Sequence, residues 1–312
     1  MNHHGGDMKN LSRLYFFSGA LSFISIGVSQ DYRSSLESVV EAERAFAKTS
    51  LEVGSRSAFM TYFADEAIVF RPHPVIYKEA MKTVPLPKNP LETTLEWEPI
   101  FADVSKSGDL GYTTGPSVRT DHTPAKRPQY FGFYFSFWKK QQNGEWKVVF
   151  DVGTELPGPY KGSRALRTPE TQGATKGVSK IDPQEQKASL MKAEKDFLET
   201  VRKESADKAF AAFLGREARI YRQKNYPIIG IDSIRAYFSG RRYLSTWEPI
   251  SCEVAMSGDL GYSYGSYSIE SSEGTQSEKG YFLHGWKRDA ANNWKLIAEI
   301  ASPLPPEKPK PQ

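Results

Sequence analysis

Cysteine is almost absent from this chain: Cys252 stands alone among 312 residues, so no internal disulfide can staple it. Stability must then come from a buried core, which segments of more than about 100 residues can build. Cys252 lies at Ile250-x-Cys252-x-Val254, on an alternating apolar face, and reads as a structural thiol rather than a nucleophile. Histidine is scarce as well, and the five present have no metal-ligand spacing, so no metal is expected. There is no glycine-rich phosphate loop and no nucleophile elbow, and no cofactor is expected. Charge of one sign is missing too. With 41 Lys and Arg against 37 Asp and Glu, the net +4 is spread through mixed segments, which argues against nucleic acid as a partner.

Long apolar runs are also lacking. The longest, Leu14 to Val28, covers 15 residues, short for the roughly 20 a membrane-spanning helix needs. It follows Lys9 and Arg13 and ends in Gly27-Val28-Ser29, small residues at the positions a signal peptidase reads. Residues 1–29 are therefore expected to be a signal peptide and the mature protein to be exported, periplasmic or secreted, with no stable membrane anchor.

What the chain does have is a repeat. Trp97-Glu98-Pro99-Ile100 returns as Trp247-Glu248-Pro249-Ile250, and Ser107-Gly108-Asp109-Leu110-Gly111-Tyr112 returns as Ser257-Gly258-Asp259-Leu260-Gly261-Tyr262, both after 150 residues. Ala42-Glu43 and Phe46 match Ala193-Glu194 and Phe197 after 151, and Trp138-Lys139 and Trp146-Lys147 match Trp286-Lys287 and Trp294-Lys295 after 148. A period this long, far above the 20–50 residues of solenoids, marks two whole domains. They are expected at 31–157 and 183–306, joined by a Gly-, Pro- and Ser-rich linker at 158–182 and followed by a disordered tail at 307–312.

Within each copy, apolar residues at helical spacing predict a helix over 36–53 and 187–203, then a second short helix. A strand at Ala67–Arg71 or Ala218–Arg222 and a third short helix follow, the latter clearer at Ser233–Phe238. Four strand-like runs close each copy, at 95–105, 110–118, 130–140 and 145–152, and at 244–256, 260–269, 279–288 and 293–301. Helices first and a long antiparallel sheet after is an α+β arrangement with the helices on one face.

This order, with Phe63-Ala64-Asp65-Glu66-Ala67, Ser107 through Gly115, Phe137-Trp138-Lys139-Lys140 and Gly144-Glu145-Trp146-Lys147, resembles the nuclear transport factor 2-like (cystatin-like) cone fold. Within it the chain is similar to SnoaL-like, ketosteroid isomerase-like exported bacterial domains, here in tandem. The resemblance implies a pocket between the helices and the curved sheet. It implies little about chemistry, because the fold hosts isomerases, dehydratases, cyclases and non-catalytic binders. The base Asp and Tyr/Asp oxyanion pair of the isomerases do not map residue by residue onto this chain.

Several residues could serve such a pocket. On the last strand, alternation puts Trp146, Val148, Phe150 and Val152 on one face and Lys147, Val149 and Asp151 on the other, and Glu299 recurs at the place of Asp151. Asp151 and Glu299 are candidate general bases, or else structural carboxylates paired with Arg71 and Arg222; these arginines recur beside the apolar Val69 and Ile220 and need either such a partner or an anionic ligand, so they are candidate ligand-binding residues as well. His73, in the rigid Arg71-Pro72-His73-Pro74 turn, and His284 are candidate ligand donors. Tyr112 and Tyr262 recur after the Gly-Asp-Leu-Gly turn, where a buried phenol could donate to an oxyanion or simply fill the core. The expected function is binding of a small apolar molecule. The alternatives are a cofactor-free isomerase, dehydratase or cyclase using Asp151 or Glu299, and a pure interaction module. Finally, Tyr130 through Trp138 is apolar on both faces, so Phe131, Phe133, Phe135 and Phe137, or the opposite set, need cover beyond the helices. The expectation is that the two domains pair within one chain as a pseudo-dimer.

Overall fold

The computed structural model describes residues 23–123, 125–169, 182–204, 206–239, 243–271 and 277–306. Most of the expected signal segment, most of the latter half of the linker and the tail lie outside them. The first half runs α1 (Phe23–Val53), α2 (Ser55–Tyr62), β1 (Phe63–Phe70), β2 (Pro74–Ile76), α3 (Tyr77–Lys82), β3 (Thr93–Trp97), β4 (Phe101–Val104), β5 (Leu110–Asp121), β6 (Gln129–Lys140) and β7 (Trp146–Glu155). The second half repeats it as α4 (Pro183–Lys203), α5 (Ala206–Phe213), β8 (Leu214–Tyr221), β9 (Ile228–Ile229), α6 (Ile231–Phe238), β10 (Tyr243–Val254), β11 (Leu260–Ser271), β12 (Ser277–Arg288) and β13 (Trp294–Pro303). Among the described residues no helix is long and apolar enough to cross a membrane.

The expected α+β class holds, with one sheet per half. The strand orders are β2-β1-β7-β6-β5-β3, with β4 also on β5, and β10-β11-β12-β13-β8-β9. The sheets are not wholly antiparallel: β1 lies parallel to β7, and β8 parallel to β13. Glu98-Pro99 splits the expected 95–105 strand into β3 and β4, whereas the same dipeptide leaves β10 continuous with a register shift at Pro249. Proline cannot donate to the ladder, so the strand must break or bulge there.

Each first helix buries one stripe, Leu36, Val39, Val40 and Phe46 in α1 and Leu190, Phe197, Leu198 and Val201 in α4. Asp182 caps α4 by accepting from Gln184 N at 2.8 Å. Gly108 and Gly258 take φ 64° and 68° in the hairpin turns, a left-handed conformation that explains why the Ser-Gly-Asp motif recurs.

A bulge in the last strand of each half decides which side chains look inward. Trp138 pairs with Val148 but Phe137 pairs with Phe150, so Val149 is the extra residue. Likewise Trp286 pairs with Leu296 and Gly285 with Ala298, leaving Ile297. Such an extra residue resets the alternation. Asp151 therefore shares the helix-covered face with Trp146 and Val148, while Phe150 turns to the other side, correcting the face assignment read from simple alternation.

On that other side the two halves meet. Phe137 lies 4.7 Å from Tyr262 between ring centroids, Phe150 5.2 Å from Tyr264, and Phe135 5.8 Å from Tyr221. One apolar cluster runs through both halves, joining Phe133, Phe135 and Phe137 to Tyr221, Leu260, Tyr262, Leu283 and Ile300. Polar contacts at the hairpin turns are reciprocal: Ser107 N donates to Ser257 Oγ at 3.1 Å and Ser257 N to Ser107 Oγ at 3.0 Å. Met256 N donates to Asp109 Oδ2 at 2.9 Å and Lys106 N to Asp259 Oδ1 at 3.2 Å. Lys139 pairs with Glu253 at 3.2 Å and its repeat equivalent Lys287 with Asp103. Part of the segment expected as a linker is fastened down as well. Arg167 bridges to Phe101 on the edge of β4, and Arg164 pairs with Glu98.

Candidate functional site

The first half holds a partly open cavity of about 550 Å³ between the sheet, α2 and α3. Its walls are largely apolar, with Phe59, Val69, Phe70, Met81 and Leu95, and they carry Arg71, Tyr77 and Asp151. Ser302, from the last strand of the second half, completes the wall. Each polar group arrives for a local reason. The bulge at Val149 turns Asp151 inward, the parallel pairing sets Asp151 beside Val69, and Arg71 follows at the end of β1.

Asp151 is half-buried and accepts from Ser136 Oγ at 2.6 Å. Burial pushes its pKa up to about 6, although the Ser136 hydrogen bond pulls the other way. The expected Arg71–Asp151 ion pair does not form. Arg71 is exposed; its guanidinium instead sits 3.7 Å from Met81 Sδ and 5.7 Å from the Tyr77 ring centre. Burial also raises the Tyr77 phenol, with Arg71 opposing. Arg56, on the same wall, is committed to backbone: it donates to the carbonyls of Met81 at 2.6 Å, Val84 at 2.7 Å and Pro85 at 2.9 Å.

Deeper in the first half lies a carboxylate that the expected site did not include. Glu43, fully buried on α1, accepts from Trp97 Nε1 at 2.5 Å, from Trp138 Nε1 at 2.9 Å and from Thr113 Oγ1. Burial raises its pKa to about 7 against these three hydrogen bonds, with the Asp151 charge adding to the rise. Glu194 is its repeat partner and accepts from Ser263 Oγ at 2.5 Å, Trp286 Nε1 at 2.9 Å and His284 Nδ1 at 2.9 Å. A visible signal existed: an acid recurring after 151 residues, at the i+3 place of the Val39, Val40, Phe46 stripe.

In the second half the equivalent acid is closed off. Glu299 is 1% exposed and meets Arg222 Nη2 at 2.7 Å, as the sequence led us to expect. His284 is buried among Phe282, Trp247 and Phe197. Its Nε2, Trp247 Nε1 and Glu299 Oε2 bond to no described residue.

The remaining candidates fall elsewhere. Tyr112 stacks 5.2 Å from Phe135, and Tyr262 packs on Phe137, both in the apolar layer between the sheets. Neither lines the cavity, and both pack as core residues, the second of the two roles the sequence allowed. His73 does not line it either; its Nδ1 lies 2.8 Å from Tyr281 Oη of the second half. Among the described residues no cluster of three His, Cys, Asp or Glu is placed to hold a metal.

No family model matches the chain, and no curated protein matches it. Solved structures that it resembles include a ketosteroid isomerase-like protein from Erwinia carotovora atroseptica, 14% identical, covering 39% of this chain and 98% of that one with a TM-score of 0.35. Another is a nuclear transport factor 2-like protein of unknown function from Pseudomonas putida, 14% identical, covering 40% and 98% with a TM-score of 0.34.

Proposed function

We propose that the first half binds a small, largely apolar molecule in its cavity, with Asp151 as the hydrogen-bonding and proton-accepting group. The observation that carries this reading is an acid without an ion pair on the wall of an apolar cavity. In this reading the chain is a tandem pair of SnoaL-like, nuclear transport factor 2-like domains, exported through residues 1–29. The second half serves as the structural partner in an intramolecular pseudo-dimer, a reading supported by the reciprocal contacts of the Ser107 and Ser257 turns. Titration with the neutral dye N-phenyl-1-naphthylamine tests the cavity. The dye should brighten on the full chain, and Gly153→Trp should weaken it at least tenfold. Gly153 lies on the cavity wall, and a Cβ there meets nothing nearer than Phe133 O at 3.9 Å, so the ring enters the cavity without forcing the backbone. Equal dye binding by both proteins rejects the site.

A second reading is cofactor-free proton transfer, as in an isomerase, dehydratase or cyclase. It is favoured by an acid whose pKa of about 6 lies near neutrality, sharing a cavity with the Tyr77 phenol. Deuterium exchange into 2-tetralone, followed by NMR, tests it. Exchange above buffer that disappears in Asp151→Asn supports proton transfer; exchange at the buffer rate leaves binding alone.

A further inference from the structure

We propose that the molecule held in the first-half cavity carries a carboxylate, bound by Arg71, on an otherwise apolar body. The inference rests on the cavity reading above and adds the chemical class of its ligand. The two halves give the reason, because they place an arginine and an acid on the same frame. Val69 pairs with Asp151 across β1 and β7, Ile220 pairs with Glu299 across β8 and β13, and each arginine follows two residues later. In the second half the guanidinium and carboxylate neutralise each other at 2.7 Å.

Two substitutions undo that in the first half. Aspartate is one methylene shorter than glutamate, which withdraws the carboxylate by about 1.5 Å. Ser136, standing where the second half has His284, then draws Asp151 toward β6 with its 2.6 Å hydrogen bond, whereas His284 turns to Glu194 and leaves Glu299 to the arginine. Among the described residues, no carboxylate lies within ion-pair distance of Arg71. Its guanidinium is left on the cavity wall against Met81 and Tyr77.

A planar fork of N–H donors matches a carboxylate with two parallel hydrogen bonds. A more highly charged phosphate would call for further cations, and Arg56, the other guanidinium on this wall, is occupied by three carbonyls. The facing Asp151 disfavours a second negative charge and welcomes a hydroxyl or other donor. The ligand class is thus a small monocarboxylic acid with an apolar body.

The experiment displaces N-phenyl-1-naphthylamine from the full chain with 2-naphthoate and with 2-naphthamide, which have the same ring and differ in charge. The expected result is that naphthoate displaces the dye at a concentration at least tenfold lower than the amide, and that this ratio falls to about one in Arg71→Met. A ratio near one in the unaltered protein, or a ratio kept in Arg71→Met, overturns the carboxylate proposal while leaving the apolar cavity standing. Absence of dye binding takes down the cavity reading and this inference together.

Discussion

In the second half Arg222 reaches Glu299 and His284 packs against Trp247, Phe282 and Phe197; in the first half the equivalent arginine and acid stay apart on the wall of a cavity of about 550 Å³. The same frame thus holds the same pair of residues in two different arrangements. Where the acid meets an arginine it is 1% exposed; where it meets only a serine hydroxyl it lines the cavity wall. In the function proposed above, the second half stabilises the pair and so frees the first from having to close its own core.

The largest difference should appear when the arginines are removed. Arg222→Met strands Glu299, 1% exposed, without its countercharge and should cost about 3–5 kcal/mol in denaturant melts. Arg71→Met removes an exposed side chain that holds no carboxylate and should cost less than about 1 kcal/mol. Equal losses would abolish the contrast between the halves.

Much of this frame was legible in the sequence, and the reasons are physical. Helical periodicity around Val39 and Phe46, the Ser-Gly-Asp turns and the final Trp-Lys strand are local signals, and the repeat doubled each of them. The bulges at Val149 and Ile297 were not legible, because an extra residue changes no local composition yet reverses which face Asp151 and Phe150 occupy. The missing Arg71–Asp151 pair depends on one methylene and on Ser136 across the ladder, distances that spacing along the chain does not encode. Tyr112 and Tyr262 recur because they fill the layer between the sheets, so recurrence alone did not separate core from site.

The next effect in size is a pH dependence seated in the first half. Glu43 is raised from an ordinary 4.5 to about 7 and Asp151 from 3.8 to about 6, both chiefly by burial. The folded state therefore holds more protons than the unfolded one across this range. Their contribution is full below the unfolded values and is lost as pH rises through about 6–7. Stability should fall between pH 4.5 and pH 7.5, with Glu43 accounting for on the order of 2–3 kcal/mol. Glu43→Gln should flatten that slope in urea melts across the range. An unchanged slope would place the pH sensitivity elsewhere.

A smaller asymmetry lies between the halves. Asp103 is fully buried and accepts from Lys287, from Tyr32 Oη at 2.6 Å and from Val104 N at 2.8 Å. Its repeat equivalent Glu253, 26% exposed, pairs with Lys139 and Lys187. Asp103→Asn should cost about 1–3 kcal/mol, since it breaks charge-assisted bonds in a buried place. Glu253→Gln should cost below about 1 kcal/mol, as partly exposed pairs do. Thermal melts that rank the two the other way would show that burial does not set their worth.

The smallest expected effect is also the most specific test of how the halves diverged. Asp151→Glu restores the missing methylene on the same strand position, opposite the same Val69, and brings a carboxylate toward Arg71. Arg71 is exposed, so the new pair should add no more than about 0.5–1 kcal/mol to stability. Its consequence for binding should be larger than its consequence for folding, because the guanidinium would then be occupied from within the protein. The preference for 2-naphthoate over 2-naphthamide should fall toward one, as in Arg71→Met, even though every charged group is still present. Glu299→Asp is the reciprocal change. It should lose stability without gaining any naphthoate preference, because His284, the ladder neighbour of Glu299, stays packed against Trp247 and Phe282. If Asp151→Glu keeps the full preference for the carboxylate, the distance between Arg71 and its neighbouring acid is not what sets the two halves apart.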